Sequence, residues 1–225
     1  IFIDKLISKF STLILTDGKS QLDFLIRHKI VNKDAKVLGK GSISGVSLEK
    51  FNPSDEIRLK LRKKLNISDD QWVFMYLGRL KRDKGILDLV DAFLKINNRK
   101  NALLYLVGDD EENLIKNLKQ SSRIFYLPHD NRPENIIQVC DTFCLPSYRE
   151  GFGLSVIEAS SLKKPIISSN TYGLKDTVIN KKTGLVFQVG DIEKLNDHLI
   201  YAINNKKRMK EMGYNGRDYV EENFS

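Results

Sequence analysis

A succession of short apolar runs, each followed by a stretch of helical periodicity, constrains this chain more than any other feature. The runs "TLILT" (12–16), "AKVLG" (35–39), "WVFMYLG" (72–78) and "ALLYLVG" (102–108) read as strands. So do "RIFYLP" (123–128), "TFCLPS" (142–147), "PIISS" (165–169) and "GLVF" (184–187). Helical patterns occupy 19–29, 54–65, 85–97, 111–120, 133–140, 153–163 and 191–204. The later strands are apolar at both alternating positions, as parallel strands covered by helices on two faces must be. A βαβα order of this kind predicts an α/β fold, a doubly wound parallel sheet. Ligands of such sheets bind outside the carboxyl ends of the strands. A site is therefore expected in the loops after "MYLG", "YLVG", "FYLP" and "CLPS".

The stretch "GKGSISGVSLEKFNPSDE" (39–56) interrupts the alternation with glycine, serine and a proline. Residues 1–45 hold two strands and two helices, too little for an independent α/β domain, and read as the end of a preceding one. The expected division is 1–45, then 46–205, then a terminal helical stretch over 206–225. The missing initiator Met implies a start within a longer protein. No signal-peptide order is present, and no apolar run approaches the ~18 residues of a membrane span.

Lys and Arg number 37 against 29 Asp and Glu, a net charge of +8, which favours anionic partners such as nucleic acid, lipid head groups or phosphorylated metabolites. In "RLKLRKKL" (58–65) the spacing of Ile57, Leu61 and Leu65 makes the basic residues a solvated face. Nucleic-acid binding would need interleaved aromatics or a recognisable module, and neither is present. Attraction to an anionic membrane surface stays open. Cys140 and Cys144 read as buried, reduced thiols of a cytoplasmic protein. With three scattered histidines, no metal set is expected. The run "GDDEE" (108–112) reads as a polar strand-to-helix loop rather than an acidic metal motif.

Two loops carry chemistry. In "YLGRLKRDKGILDLVDAF" (76–93), Gly78 permits a tight turn, Arg79 and Lys84 project over the strand ends, and Gly85 opens a helix. Two cations and a helix N-terminus suit a diphosphate, although a βα loop is sometimes basic without purpose. In "LPSYREGFGLSVIEASS" (145–161), Gly151 and Gly153 bracket Phe152 and let a ligand approach the backbone. Glu150 and Glu158 flank the turn, and paired carboxylates recognise neighbouring hydroxyls. The bland alternatives are a capping charge for Glu150 and a solvent-facing helix residue for Glu158.

The Glu150…Glu158 pair around "GFGLSVI", with "GRLKRDKG", "LVGDD", "NRPENIIQVCDTFCLPS" and "TGLVFQVGDIEKLNDHLIYAI", resembles retaining glycosyltransferase family 4 in order and spacing. The resemblance covers nearly the whole chain. It implies the GT-B fold, two Rossmann-like domains across a cleft, with this chain the donor-binding C-terminal domain plus the end of the acceptor-side domain. The helix over 206–225 would cross back to that domain.

By the same resemblance, Arg79 and Lys84 grip the donor diphosphate without a metal or other cofactor. Glu150 holds sugar hydroxyls and Glu158 the ribose. Backbone around Gly78 and Gly151, Phe152, Gly153 and Leu154 contacts sugar and phosphate, and the loop from Pro128 and His129 to Asn131 meets the base. The donor is a nucleoside-diphosphate sugar, UDP-linked by preference. The acceptor is a glycan or polyprenyl-linked sugar in bacterial surface polysaccharide synthesis. The isolated chain should bind donor and transfer poorly. "TYGLKD" (171–176) departs from the family pattern, with Tyr172 in place of a glycine and Asp176 where glutamate is usual. Two other readings remain: a nucleotide-sugar epimerase of related fold, and a basic nucleic-acid or lipid-binding module.

Overall fold

A computed structural model describes every residue except 1, 32–33, 43, 98–100, 119–120 and 130. The end of the helix expected over 111–120 and part of the 128–131 loop therefore lie outside the described residues, as does Ile43 of the connection.

The last six of the eight predicted runs form a parallel six-stranded sheet. Its strands are β3 (Trp72–Leu77), β4 (Ala102–Val107), β5 (Ile124–Leu127), β6 (Thr142–Leu145), β7 (Ile166–Ser169) and β8 (Gly184–Phe187). Their spatial order is β5-β4-β3-β6-β7-β8, and all pairings are parallel. The helices are α3 (Asp55–Lys64), α4 (Ile86–Leu94), α5 (Leu114–Asn117), α6 (Pro133–Ile136), α7 (Leu154–Ser161), α8 (Ile192–Asn204) and α9 (Lys206–Asn223). Short 3-10 turns cover Arg82–Lys84 and Ile137–Val139. The expected doubly wound α/β sheet is thus the observed one.

Local chemistry explains the helix starts. Ser54 precedes α3, and its hydroxyl accepts from the Ile57 amide at 3.2 Å. Asp191 precedes α8 and accepts from the Lys194 amide at 2.9 Å. Each removes one donor that the first helical turn leaves unpaired. Central strands β3 and β4 are buried at nearly every position, including Phe74, Tyr76, Leu104 and Tyr105. The edge strand β5 differs, because Phe125 and Tyr126 remain 39% and 40% exposed. Cys140 and Cys144 are free thiols buried in this core. Among the described residues, no helix is long and apolar enough to cross a membrane.

The first residues form α1 (Phe2–Phe10), β1 (Leu15–Thr16), α2 (Lys19–Arg27) and β2 (Lys36–Val37). β1 and β2 pair in parallel as a separate two-stranded sheet. Leu22, Ile30, Val31 and Ala35 give this unit its own small core. At the other end, α9 packs along α7, and the carbonyl of Phe224 accepts from the Val46 amide at 2.9 Å.

One reading of the sequence needs correction. The lysines of "RLKLRKKL" are exposed, but its arginines are not solvated. Arg62 is 4% exposed and donates to the carbonyls of Val139, Ser68 and Gln71 and to Asp141. Arg58 donates to the carbonyls of Gln138, Val139 and Cys140 and to Asp141. The apolar spacing marks only what α3 buries against carbon. It does not show that the 137–140 turn points a row of carbonyls at the same helix.

Candidate functional site

The sheet order places the crevice. From β3 the chain steps outward through β4 and β5, then returns to add β6 on the other side of β3. The loops leaving β3 and β6 diverge there, and an open α/β sheet binds ligands at such a switch point.

Both glycine-bearing loops meet at this place. Gly85, at φ +70°, starts α4 in a left-handed conformation that favours glycine, and a Cβ there would strike the Pro146 carbonyl. The Tyr148 amide donates to the Asp83 carbonyl at 2.8 Å, lacing one loop to the other. Lys84 Nζ donates to Glu150 Oε1 at 2.9 Å and to the Arg149 carbonyl at 3.2 Å. Ser147 Oγ donates to the same Glu150 oxygen at 2.8 Å. Glu150 is thus an ion-pair partner rather than a cap, and Gly153 precedes α7 with no side-chain cap.

Arg79 stays 61% exposed above the crevice. The Tyr76 hydroxyl holds its carbonyl at 2.8 Å, and Glu111 approaches its guanidinium at 3.7 Å. Glu111 also accepts from Lys81 at 2.8 Å, and that hydrogen bond lowers its pKa. Asp110 accepts the amides of Leu114 and Ile115. The "GDDEE" run therefore caps α5 and supports the basic loop, as a strand-to-helix loop should.

A cavity of about 460 Å³ opens between the loops. Gly78, Arg79, Lys84 and Glu150 line it, together with Phe152, Gly153, Leu154 and Glu158. A neighbouring cavity of about 450 Å³ shares Gly78, Arg79 and Glu158 and adds His129. The structure thus brings together most residues singled out in the sequence. Pro128 instead lines a separate hollow beside Leu61 and Leu65. Gly151 is exposed and lines neither cavity, and its carbonyl abuts Gly173. The Phe152 ring is 5% exposed and packs edge-on against Phe224 at 5.3 Å.

Glu158 is not the solvent-facing residue that its helix position alone suggests. It lines both cavities, and burial raises its pKa to about 7, with Lys50 opposing and Glu134 adding to the rise. Its carboxyl is thus poised between neutral and charged near pH 7.

The sequence did not single out Tyr76, Asp17, Ser42 or Ser44, which also line the 460 Å³ cavity. Asp17 carried a signal, because it directly follows a predicted strand. Tyr76 carried none, being one more apolar position of a buried strand. The unusual "TYGLKD" segment lines neither cavity and instead packs against α2. Asp176 accepts from the Ser20 amide at 2.8 Å and its hydroxyl at 2.7 Å, and Tyr172 stacks on Phe24 at 4.8 Å.

Comparison with known proteins identifies the family. A model described as "Glycosyl transferases group 1" matches residues 57–219. The chain is 33% identical over 238 residues to the capsular polysaccharide biosynthesis glycosyltransferase CapM of Staphylococcus aureus, covering 100% of this chain and 62% of that protein. It is 30% identical over 193 residues to the Escherichia coli UDP-Gal:alpha-D-GlcNAc-diphosphoundecaprenol alpha-1,3-galactosyltransferase, covering 81% and 49% respectively. Its fold matches Anabaena HepE, solved in complex with UDP and glucose, with a TM-score of 0.89 at 20% identity, over 100% of this chain and 62% of that one. The chain spans between 49% and 62% of the length of these relatives. The matched span takes in both glycine-bearing loops of the crevice, and the chain belongs to the glycosyl transferases group 1 family.

Proposed function

We propose that this chain is the donor-binding part of a retaining, metal-independent glycosyltransferase of family 4, and that it takes a UDP-linked sugar. The convergence of Arg79, Lys84 and the 150–154 glycine turn on one cavity at the sheet's switch point carries the reading. Arg79 and Lys84 bind the diphosphate and stabilise the negative charge that grows on it as the sugar leaves. This is preorganised electrostatics, with the cations already in place before reaction. On donor binding, Lys84 shares its charge between Glu150 and a phosphate oxygen. Glu150 then accepts from sugar hydroxyls, and Glu158 from the ribose. Backbone N–H groups at the start of α7 reach sugar and phosphate. His129, in the adjoining cavity, borders the base.

The acceptor is a glycan or polyprenyl-linked sugar of bacterial surface polysaccharide, as the names of CapM and the E. coli galactosyltransferase suggest. Acceptor contacts fall to the small sheet of β1 and β2 and to chain outside this sequence, with 46–205 as donor domain and 206–225 as the helix linking back. The work takes place in the cytoplasm, with peripheral contact at the inner face of the membrane.

Calorimetric titration with UDP, GDP and ADP tests this. Saturable binding of UDP, lost in Arg79→Ala/Lys84→Ala, is the expected result. Equal binding by wild type and variant, or no binding of any nucleotide by folded protein, overturns it.

A further inference from the structure

The amino ends of the central strands open on a different cavity, of about 400 Å³. Trp72 begins β3, Asp141 directly precedes β6 and Pro165 directly precedes β7, and all three line it. It therefore lies at the opposite end of the sheet from Arg79. Five cationic side chains surround it: Arg58 of α3, Lys163 and Lys164 of the α7–β7 turn, and Lys206 and Lys210 of α9. The carboxylates in its wall are Asp55 and Asp141. Asp141 is already engaged by Arg58, Arg62 and the Val73 amide.

Asp141 offsets Arg58 and Lys206 acts on Asp70, so the charge left without a close carboxylate centres on Lys163 and Lys210. Among the described residues, none of Lys163, Lys206 and Lys210 forms an ion pair. Instead, the ammonium groups of Lys163 and Lys210 lie 4.9 and 5.9 Å from the Tyr214 ring centre, and that of Lys206 lies 5.6 Å from the Trp72 ring. Lys164 sits deeper and donates to the Gln138 carbonyl at 2.9 Å. Burial lowers its pKa to about 8, a cost that an anion beside it would relieve. Cations gathered in a concavity focus a positive potential and draw anions into it. Arg58 is committed to three carbonyls and Asp141, so the lysine ammonium groups of the α7–β7 turn and α9 are the donors left for the several oxygens of a phosphate.

We propose that this cavity is a second anion site, separate from the crevice, which holds a phosphate ester. A phospholipid headgroup and a soluble phosphate ester share that chemistry. The proposal does not depend on the donor-binding reading.

Trp72 is the only tryptophan and lines the cavity, so its fluorescence reports on this site directly. The full chain is titrated at low salt with glycerol 3-phosphate, with phosphatidylglycerol vesicles and with phosphatidylcholine vesicles. The expected result is a saturable change in Trp72 emission with one of the two anionic phosphate esters and none with zwitterionic phosphatidylcholine. In Lys163→Gln/Lys210→Gln, affinity should fall by about tenfold or more, as loss of close charge contacts does, while UDP affinity is unchanged. Lys206→Gln should weaken the same response by itself. A response to glycerol 3-phosphate identifies a soluble ester as sufficient, and a response confined to phosphatidylglycerol identifies the headgroup. Silence of Trp72 with both probes, or an undiminished response in the variants, overturns the proposal. So does a parallel loss of UDP affinity, which would place the effect in the crevice.

Discussion

Lys84 Nζ lies 2.9 Å from Glu150 Oε1, and this one ion pair joins the loop after β3 to the loop after β6. The side chains are 14% and 15% exposed, so little solvent screens them. Removing one partner of such a pair strands the other charge, which costs more than removing both. Lys84→Ala is expected to lower unfolding stability by about 3 kcal/mol. Lys84→Met/Glu150→Gln should recover most of it. Denaturant midpoints of the single and double variants measure the coupling, and additive losses would show that the pair contributes nothing to stability.

Glu158 makes stability depend on pH. Its folded pKa of about 7 exceeds the ordinary 4.5, so the folded chain binds the proton more tightly than the unfolded one. Stability from this group is therefore complete below pH 4.5 and declines as pH rises through 7. At about 1.4 kcal/mol per unit, the loss approaches ~3 kcal/mol. Glu158→Gln should flatten this part of the profile and leave the protein more stable than wild type at pH 8. Unfolding measured from pH 4 to 8 would decide it, and parallel profiles would sink the assignment.

Asp176 caps α2 from another part of the chain, through the amide and hydroxyl of Ser20. Asp176→Ala should cost about 1 kcal/mol, the usual loss for an N-terminal cap. The cost should be local. Amide exchange over 19–27 is expected to accelerate, while β3 and β4 keep their protection. Uniform acceleration across the sheet would contradict a local clamp.

Arg62 and Lys60 share one helix but not one role. Arg62→Ala leaves Asp141 and three carbonyls short of a donor, and should cost about 3–5 kcal/mol. Lys60→Ala should stay within about 0.5 kcal/mol. Urea titration of both variants checks the contrast, which vanishes if the whole basic cluster is solvated.

The strands, their parallel class and the two glycine-bearing loops that line the crevice are legible in the chain itself. Burial on both faces of β3, β4 and β6 is written as unbroken apolar runs, and glycine marks the turns where a side chain would collide. These are properties of a few consecutive residues. The tertiary structure alone decided which loops face each other. The order β5-β4-β3-β6-β7-β8 sets Lys84 against Glu150, and the packing of the separate β1–β2 unit on the crevice brings Asp17 to the same cavity. It also turns Arg58 and Arg62 inward onto carbonyls that the spacing of Ile57, Leu61 and Leu65 does not reveal, and it buries Glu158 far enough to hold a proton near pH 7. Periodicity records how much of an element is shielded from water. Electrostatic interactions depend instead on distances between groups remote in the chain, and only the assembled fold sets those distances.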